Sequence, residues 1–243
     1  MSLYAYCLSD EVTALALETI RGVAGATPIL IEHEGLAAVV SDYENDAVSV
    51  TRENVLAHER VVQQVLAQTT PLPFRFGTLA SEARLRNYLA TQKSALCTQL
   101  ARVRGCVEMS VKVIRGTEAF ESESTAQDST TREEHQVAAD LSGGAGTIYL
   151  HKKRREMMGD ELLKERAEEI AGWLAERLAS TVRESVVSVR PKEMLIVAAA
   201  YLVEVARLEE YRERLRRARD ERREIHFLTS GPWPPYSFSD LSS

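Results

Sequence analysis

The residue types that perform acid–base or nucleophilic chemistry are scattered along this chain. Its five histidines lie far apart, at positions 33, 58, 135, 151 and 226. No G-x-S-x-G, H-E-x-x-H, P-loop or G-x-G-x-x-G pattern is present. His58 and Glu59 are adjacent on a predicted helix and therefore face different ways. Catalysis would need distant residues to converge in the fold. The sequence thus predicts no catalytic residue and a protein that is not an enzyme.

The cysteines and glycines do not indicate a metal or cofactor site. Cys7, Cys97 and Cys106 are widely spaced, with no C-x-x-C pair and no zinc-type spacing with histidine. The segment "GGAG" at 143–146 is more typical of a linker than of a phosphate cradle, because no clear strand precedes it. We expect reduced thiols, no metal and no cofactor. The N-terminus lacks the features of a signal peptide.

Charge and hydropathy narrow the range of partners. The formal net charge of −6 argues against a nucleic-acid binder, which normally has a basic face. Two basic stretches, His151–Arg155 and Tyr211–Glu224, are interpreted as solvated helix surfaces, with a patch for an acidic partner as the alternative for the first. The longest apolar run, Met194–Val203, has half of the about twenty residues that span a membrane. We expect no nucleic-acid, membrane or small-molecule partner.

The first part of the chain alternates strand and helix patterns in the order β-α-β-β-α-α-β. Thr51 or Ser49 is the expected cap of the second helix, and Ser81 that of the third. The last strand is predicted in "CVEMSVKVIRG" from its partial alternation of apolar residues. This order is close to the ferredoxin-like arrangement with one extra helix, so the predicted fold class is α+β.

The second part follows a polar stretch rich in Ser, Thr, Glu and Gly. Its order is α-β-β-α-β, a ferredoxin-like unit without its first strand. The run "KEMLIVAAAYLV" is typical of a strand buried on both faces, although a buried helix has the same pattern. We therefore predict four regions: an N-terminal domain at 1–116, a partly mobile linker at 117–146, a C-terminal domain at 147–230 and a C-terminal tail at 231–243.

The segment "PLPFRFGT" interrupts all periodicity between two helices. Its prolines favour an extended backbone, in which Phe74 and Phe76 would point to one side and Arg75 to the other. Gly77 would then let the chain turn into the next helix. The segment is either a rigid connector that buries two rings, or one that also offers Arg75 for contact. We expect Arg75 to pair with a carboxylate.

Two further segments stand out. "GTIYLHKKRRE" places Tyr149 and Leu150 at a helix start, just before Lys153 and other basic residues. The C-terminal "GPWPPYSF" cannot be a helix or a central strand, and its prolines favour polyproline II. Its aromatic side chains offer large contact areas to this chain or to a partner. We favour packing on the chain's own surface.

These segments together resemble the gas vesicle protein F/L family. The motifs "PLPFRFGT", "GTIYLHKKRRE" and "TSGPWPPYSF" occur in the expected order, and the "LYAYCL" opening extends the resemblance over nearly the whole chain. The polar linker departs from the family pattern. The resemblance assigns structural or partner-contact roles to these residues: Pro73, Phe74, Arg75, Phe76, Gly77, Thr78, Tyr149, Leu150, Lys153, Gly231, Pro232, Trp233, Pro234, Pro235, Tyr236 and Phe238.

The resemblance implies an accessory or minor structural protein of gas vesicles, the hollow protein shells that prokaryotic cells build from a small hydrophobic shell protein. Its expected partners are that shell protein and other gas vesicle accessory proteins, and its expected location is the gas vesicle within the cytoplasm. The family fold has two α+β domains. The alternative is a ferredoxin-like module that senses a ligand or binds RNA, although the strand "VEMSVKVIRG" lacks the stacking aromatics of RNA readers.

Overall fold

The computed structural model describes residues 2–11, 17, 19–115, 145–189 and 195–241. For residues 115, 145–160, 195 and 196 it describes the backbone alone. Most of the helix predicted within 9–22 and nearly all of the predicted linker lie outside the described residues. The described chain is a mixed α+β protein with two antiparallel sheets.

The first sheet is built mainly from the N-terminal third of the chain. It contains β1 (Ser2–Ser9), β2 (Ile29–His33) and β3 (Leu36–Tyr43), followed by the short strands β4 (Leu72–Pro73) and β5 (Leu79–Ala80). The order is β2-β3-β1-β4, and β5 also pairs with β1. The sequence predicts two strands, Pro28–Ile31 and Leu36–Ser41, joined by a short hairpin turn. The antiparallel pairing of β2 with β3 confirms this hairpin. Its turn residues Glu34 and Gly35 have φ of +45° and +86°, as a type I′ turn requires.

Two helices cover opposite faces of this sheet. Helix α1 (Arg52–Leu66) begins after Thr51, whose hydroxyl accepts a hydrogen bond from the Asn54 N–H at 3.2 Å. Helix α2 (Glu82–Val103) begins after Ser81, which accepts from the Arg84 N–H at 3.3 Å. Both predicted caps are confirmed. Because β1 is buried on both faces, its side chains alternate between a cluster with α2 and a cluster with α1.

The second sheet has the order β7-β8-β6-β9. Its strands are β6 (Cys106–Arg115), β7 (Val182–Ser188), β8 (Leu195–Glu204) and β9 (Ile225–Trp233). Helices α3 (Ala145–Leu178) and α4 (Leu208–Glu221) pack on one face. Apolar residues at helical spacing from Leu163 onward predict a long amphipathic helix. Its stripe lines this core, where Ala167, Ile170, Leu174 and Leu178 are buried and Ala171 is partly buried. The β8 segment is a strand rather than a buried helix.

The strand β6 corrects the predicted ferredoxin-like order of the first part. We expected it to complete the first sheet, but it lies between β8 and β9 in the second. Its alternating residues Met109, Val111 and Val113 are buried against α3 and α4, which only the second sheet provides. The open side of β1 is occupied by β4 and β5 instead. Strand β6 therefore supplies the first strand that the predicted second unit lacked.

A second correction concerns the start of α4. The segment "EVARLEEYRERLRRARDER" predicts a charged helix with Val205, Leu208 and Leu215 inward, but Val205 is 56% exposed. It lies in a 3₁₀ turn, Val205–Arg207, before the α-helix begins, so the helical period does not extend back to it. The buried positions of α4 are Tyr211, Leu215 and Ala218.

The two sheets share one apolar cluster. Leu85, Leu89, Leu96 and Leu100 of α2 pack with β1 residues and also with Ala200 and Leu202 of β8. Helix α2 thus lies between the first sheet and the face of the second sheet that α3 and α4 leave free. Phe238 of the C-terminal tail belongs to the same cluster.

Candidate functional site: the tail junction

The C-terminal tail starts as the end of an edge strand. Residues Ser230 and Trp233 of β9 face Ser110 and Glu108 of β6, so two β9 residues lie opposite the single residue Met109. This is a β-bulge, where Pro232 needs no ladder hydrogen bond. Gly231 has φ of +123°, and a Cβ there would lie 2.8 Å from both the Glu108 carbonyl oxygen and the Met109 sulfur. Glycine is therefore required at this position.

The tail then turns sharply rather than continuing as polyproline II. The Tyr236 N–H donates to the Pro234 carbonyl at 2.8 Å, and Pro235 has φ −78° and ψ 63°. These angles define an inverse γ-turn. A 3₁₀ turn, Tyr236–Phe238, follows. This turn differs from the extended polyproline II conformation predicted for the segment. It directs Tyr236 and Phe238 toward the body of the protein.

Three anchors hold the tail on the chain itself. Glu108 is buried, and its carboxylate accepts hydrogen bonds from the Ser237 N–H at 2.7 Å and the Ser237 hydroxyl at 2.8 Å. The Arg102 guanidinium donates to the Phe238 carbonyl at 2.5 Å. The Phe238 ring is buried in the cluster shared by α2 and β8. The tail therefore binds an α2 residue and a β6 residue at once.

A buried histidine joins the tail to α1 and β1. His58 is only 1% exposed. Its Nδ1 lies 2.8 Å from the Tyr4 hydroxyl, and its Nε2 lies 3.0 Å from the Tyr236 hydroxyl. A neutral imidazole has one donor and one acceptor nitrogen, so it donates to one tyrosine and accepts from the other. Burial lowers the pKa of His58 to about 4, so the ring is neutral at pH 7.

The same cluster reaches the "PLPFRFGT" segment. The Gly77 N–H donates to the Tyr4 hydroxyl at 3.2 Å, and the Phe76 ring lies edge-on to His58. The Tyr6 ring stacks on the His58 ring, and the Tyr6 hydroxyl forms a hydrogen bond with the Ser41 hydroxyl. We call the side chains of Tyr4, Tyr6, His58, Phe76 and Tyr236 the tyrosine–histidine cluster. It ties β1, α1, the "PLPFRFGT" segment and the tail together.

The "PLPFRFGT" segment covers the open edge of β1. The Phe74 N–H donates to the Tyr6 carbonyl at 2.9 Å, and the Ala5 N–H donates to the Thr78 carbonyl at 3.0 Å. Between these bonds the chain bulges outward in a turn, in which the Thr78 N–H and hydroxyl bond the Arg75 carbonyl. Gly77 takes φ of +89° in this turn.

The predicted directions of the two phenylalanines are wrong. Phe74 is buried with α2, whereas Phe76 packs against the α1 cluster on the other face. The strand ends at Pro73 and the turn follows, so the alternation of an extended chain does not apply. The Arg75 side chain is exposed, and no carboxylate in the described part of the chain pairs with it.

The remaining predicted positions make none of the contacts of the tyrosine–histidine cluster. Tyr149, Leu150 and Lys153 are within α3, where the structure describes the backbone alone. Pro234 and Pro235 are buried beside the junction, while Trp233 is 40% exposed. Trp233 Nε1 donates to the Ser230 hydroxyl at 3.1 Å.

The junction is suited to holding chain segments together. Its hydrogen-bonding groups pair with each other, and burial raises the pKa of the tyrosine hydroxyls and of the Cys7 thiol. Among the described residues, no group of three or more His, Cys, Asp or Glu side chains could hold a metal ion. None of the described helices is long and apolar enough to cross a bilayer.

Sequence reasoning missed His58, Glu108 and Arg102. His58 is 54 residues from Tyr4 and 178 from Tyr236, so no local spacing reveals these contacts. One signal was available, since His58 precedes Val61, Val62 and Val65 at helical spacing and so lies on the apolar side of α1.

Comparison with known proteins matches the whole described fold to one family. The family model of gas vesicle synthesis protein GvpL/GvpF covers residues 2–240. Gas vesicle protein F1 of Halobacterium salinarum is 26% identical over 99% of this chain and 93% of its own length. Gas vesicle protein L1 of the same organism is 28% identical over 97% of this chain and 89% of its own length.

A solved structure agrees with the described architecture. The crystal structure of the gas vesicle protein GvpF from Anabaena sp. PCC7120 aligns with a TM-score of 0.75 at 19% identity, covering 100% of this chain and 97% of that one. Both kinds of comparison span the two sheets and the tail, and the chain belongs to the GvpL/GvpF family of gas vesicle synthesis proteins.

Proposed function

We propose that this protein acts in gas vesicle assembly by binding the hydrophobic shell protein and other gas vesicle accessory proteins, at the vesicle within the cytoplasm. The observation that carries the proposal is the family match over residues 2–240, which supports a role in gas vesicles. It favours this role over the ligand-sensing or RNA-binding alternative. The function is non-enzymatic and uses binding surfaces alone.

The exposed apolar side chains of the two sheets suggest where the shell protein binds. Among the strand side chains that the structure describes, the large exposed ones lie on edge strands: Ile29 on β2, Val186 and Val187 on β7, and Leu228 and Trp233 on β9. An edge strand presents unpaired N–H and C=O groups and so accepts a further strand. A polymerising subunit with exposed strands aggregates unless these are covered. Edge strands of this kind would pair with the exposed strands of the shell protein until the shell forms.

Strand β7 is the preferred shell-protein site in this proposal. Val186 and Val187 are 47% and 39% exposed on opposite faces of the strand, so both faces of an added strand would find an apolar neighbour. Ion pairs hold the start of β7 in place, since Arg183 contacts Glu204 at 2.7 Å and Arg102 contacts Glu184 at 3.7 Å. The edge is thus fixed before a partner arrives.

Co-purification with the shell protein tests this function. Tagged chain co-expressed with shell protein should retain it in the soluble fraction, and the double variant Val186→Lys and Val187→Lys should reduce the retained amount at least about tenfold, because charged side chains block edge pairing. The matched control is Leu56→Lys and Leu162→Lys, which changes exposed apolar residues on helices and should leave retention unchanged.

Two outcomes separate the surface from the function. Equal retention by both double variants would reject β7 as the site. Failure of the unaltered chain to retain shell protein, with and without the other accessory proteins, would reject the proposed function. Deletion of the gene in a vesicle-forming host, followed by a flotation assay, should then show whether vesicles need this chain at all.

A further inference from the structure

A basic groove lies between α4 and the edge strand β9, with Met109 of β6 at one end. Four arginines line it: Arg212, Arg216 and Arg219, whose spacings of four and three residues place them on one side of α4, and Arg223, which follows the helix. The other wall is β9 itself, from Ile225 to Gly231. The groove has two adjoining parts of about 260 Å³ and 430 Å³, which share Arg216 and Arg219.

The positive charge of this groove is only partly neutralised. Arg212 pairs with Glu209 at 2.5 Å, and Arg216 pairs with Glu213. Asp220 also lines the groove. Arg219 and Arg223 make no ion pair with any carboxylate in the described part of the chain, and both side chains are exposed. The groove therefore has two unpaired guanidinium groups available for an anionic ligand, within a chain of net charge −6.

The shape of the groove favours an extended polypeptide. Strand β9 is the last strand of its sheet, and no described strand pairs with its outer edge. Its free N–H and C=O groups can bond to an added strand. Seven residues of strand span about 23 Å, and the separation of Arg212 and Arg219 spans about 10 Å along α4, with Arg223 beyond the end of the helix. A segment of five to seven extended residues fits this length.

The two faces of β9 also specify the pattern of that segment. Phe227 is buried beneath α4, so side chains of an added strand on that face would meet the arginines. Leu228 points to the opposite face and is 55% exposed. Successive side chains of a strand alternate between faces. The matching segment therefore alternates acidic and apolar residues.

We propose that this groove binds an acidic segment of another polypeptide, which adds to β9 as an extra strand with its acidic side chains on the arginines and its apolar side chains beside Leu228. This interaction is separate from the β7 edge and does not depend on the shell protein being the partner. Arginine suits the role because its planar fork binds a carboxylate through two hydrogen bonds.

A designed peptide tests the proposal on the full chain. The probe is a fluorescein-labelled octapeptide of alternating glutamate and valine, whose binding is followed by fluorescence anisotropy at low ionic strength. We expect the double variant Arg219→Gln and Arg223→Gln to bind it at least about tenfold more weakly, because two charge-assisted contacts are lost. The control variant, Arg214→Gln and Arg217→Gln, removes the same charge from outside the groove and should bind within about twofold of the unaltered chain.

A second peptide separates strand addition from simple charge attraction. An octapeptide of alternating glutamate and proline has the same charge but cannot donate the backbone N–H groups that pairing needs. It should bind at least about tenfold more weakly than the valine peptide. Equal binding of the two peptides, equal losses in the two arginine variants, or no binding of the valine peptide would each overturn the proposal.

Discussion

At the scale of single residues, His58 is held on both sides of its buried ring. Its two nitrogens bond to tyrosines from opposite ends of the chain, and its pKa is lowered to about 4 by burial. The native state thus holds the ring neutral where the unfolded chain, with an ordinary pKa of 6.5, would protonate it. The neutral ring lets one residue link α1, β1 and the tail.

The pH dependence of the free energy of unfolding should show whether His58 is neutral in the native state. Between pH 6.5 and 4 the unfolded state binds a proton at His58 that the native state does not, so the free energy of unfolding falls as pH is lowered. The full effect is about 3 kcal/mol. In His58→Gln this part of the pH dependence should disappear, measured by urea unfolding at pH 7 and pH 5.

The neighbouring carboxyl does not obscure this comparison. Burial raises the pKa of Glu59, which stabilises the native state as pH falls, but this contribution is present in both proteins. His226→Gln, which replaces an exposed histidine of β9, is the control for replacing a histidine elsewhere in the chain. An identical slope in His58→Gln and the unaltered chain would show that His58 is not held neutral.

The residues of the tail junction show how far sequence reasoning reaches at this scale. Tyr236 and Phe238 were identified because a motif contains them, and both make the junction's central contacts. Glu108 and Arg102 were not identified, because a carboxylate on a strand and an arginine on a helix resemble ordinary solvated residues. Only the path of the tail, set by the inverse γ-turn, brings them into contact with Ser237 and Phe238.

At the scale of elements, most helices and strands were predictable and one sheet assignment was not. The caps Thr51 and Ser81 are local signals, and the stripe of α3 follows from its period alone. The sheet that β6 joins depends on partners that are distant in the sequence, β8 and β9, with pairs such as Cys106 with Glu204 and Glu108 with Trp233. The alternating apolar residues of β6 predict that one of its faces is buried, but not which sheet buries it.

The bulge at Gly231 gives a prediction for the element that connects β9 to the tail. Gly231→Ala should cost about 3 kcal/mol, because φ is +123° and the new methyl group would lie 2.8 Å from a backbone oxygen of β6. Gly35→Ala is the matched control. Its φ is also positive, at +86°, but nothing lies within 4 Å of the added carbon, so the cost should be about 1 kcal/mol.

Urea unfolding of the two alanine variants measures this difference. The comparison isolates the contact with β6 from the backbone strain that both positions share. If the two substitutions cost the same, the close approach of Gly231 to Glu108 and Met109 is relaxed without loss, and the bulge does not fix the direction of the tail.

At the scale of the whole molecule, the two sheets and the tail share one core. Helix α2 contributes to the cluster that contains β1 on one side and Ala200 and Leu202 of β8 on the other, and Phe238 closes it. The regions 1–116 and 147–230, which we predicted as separate domains, therefore bury part of their apolar surface against each other. We expect them to unfold as one cooperative unit.

Removing the Phe238 ring tests this coupling. Phe238→Ala should cost about 3 kcal/mol, because the ring is 4% exposed and its loss leaves a cavity. For a chain of this size, that lowers the melting temperature by about 6–12 °C. Leu228→Ala removes an apolar side chain that is 55% exposed, and should change stability by less than about 0.5 kcal/mol.

Hydrogen exchange then shows whether the loss reaches both sheets. If Phe238 couples them, its removal speeds amide exchange equally in β1 of the first sheet and in β8 of the second, because both open in the same global event. Faster exchange confined to β8 and β9 would mean that the tail stabilises the second sheet alone.

Deleting the chain from Gly231 onward should lower the melting temperature in the same direction as Phe238→Ala and more strongly, since the bonds to His58, Glu108 and Arg102 are lost with the ring. An unchanged melting temperature with lost vesicle formation would instead assign the tail to a partner.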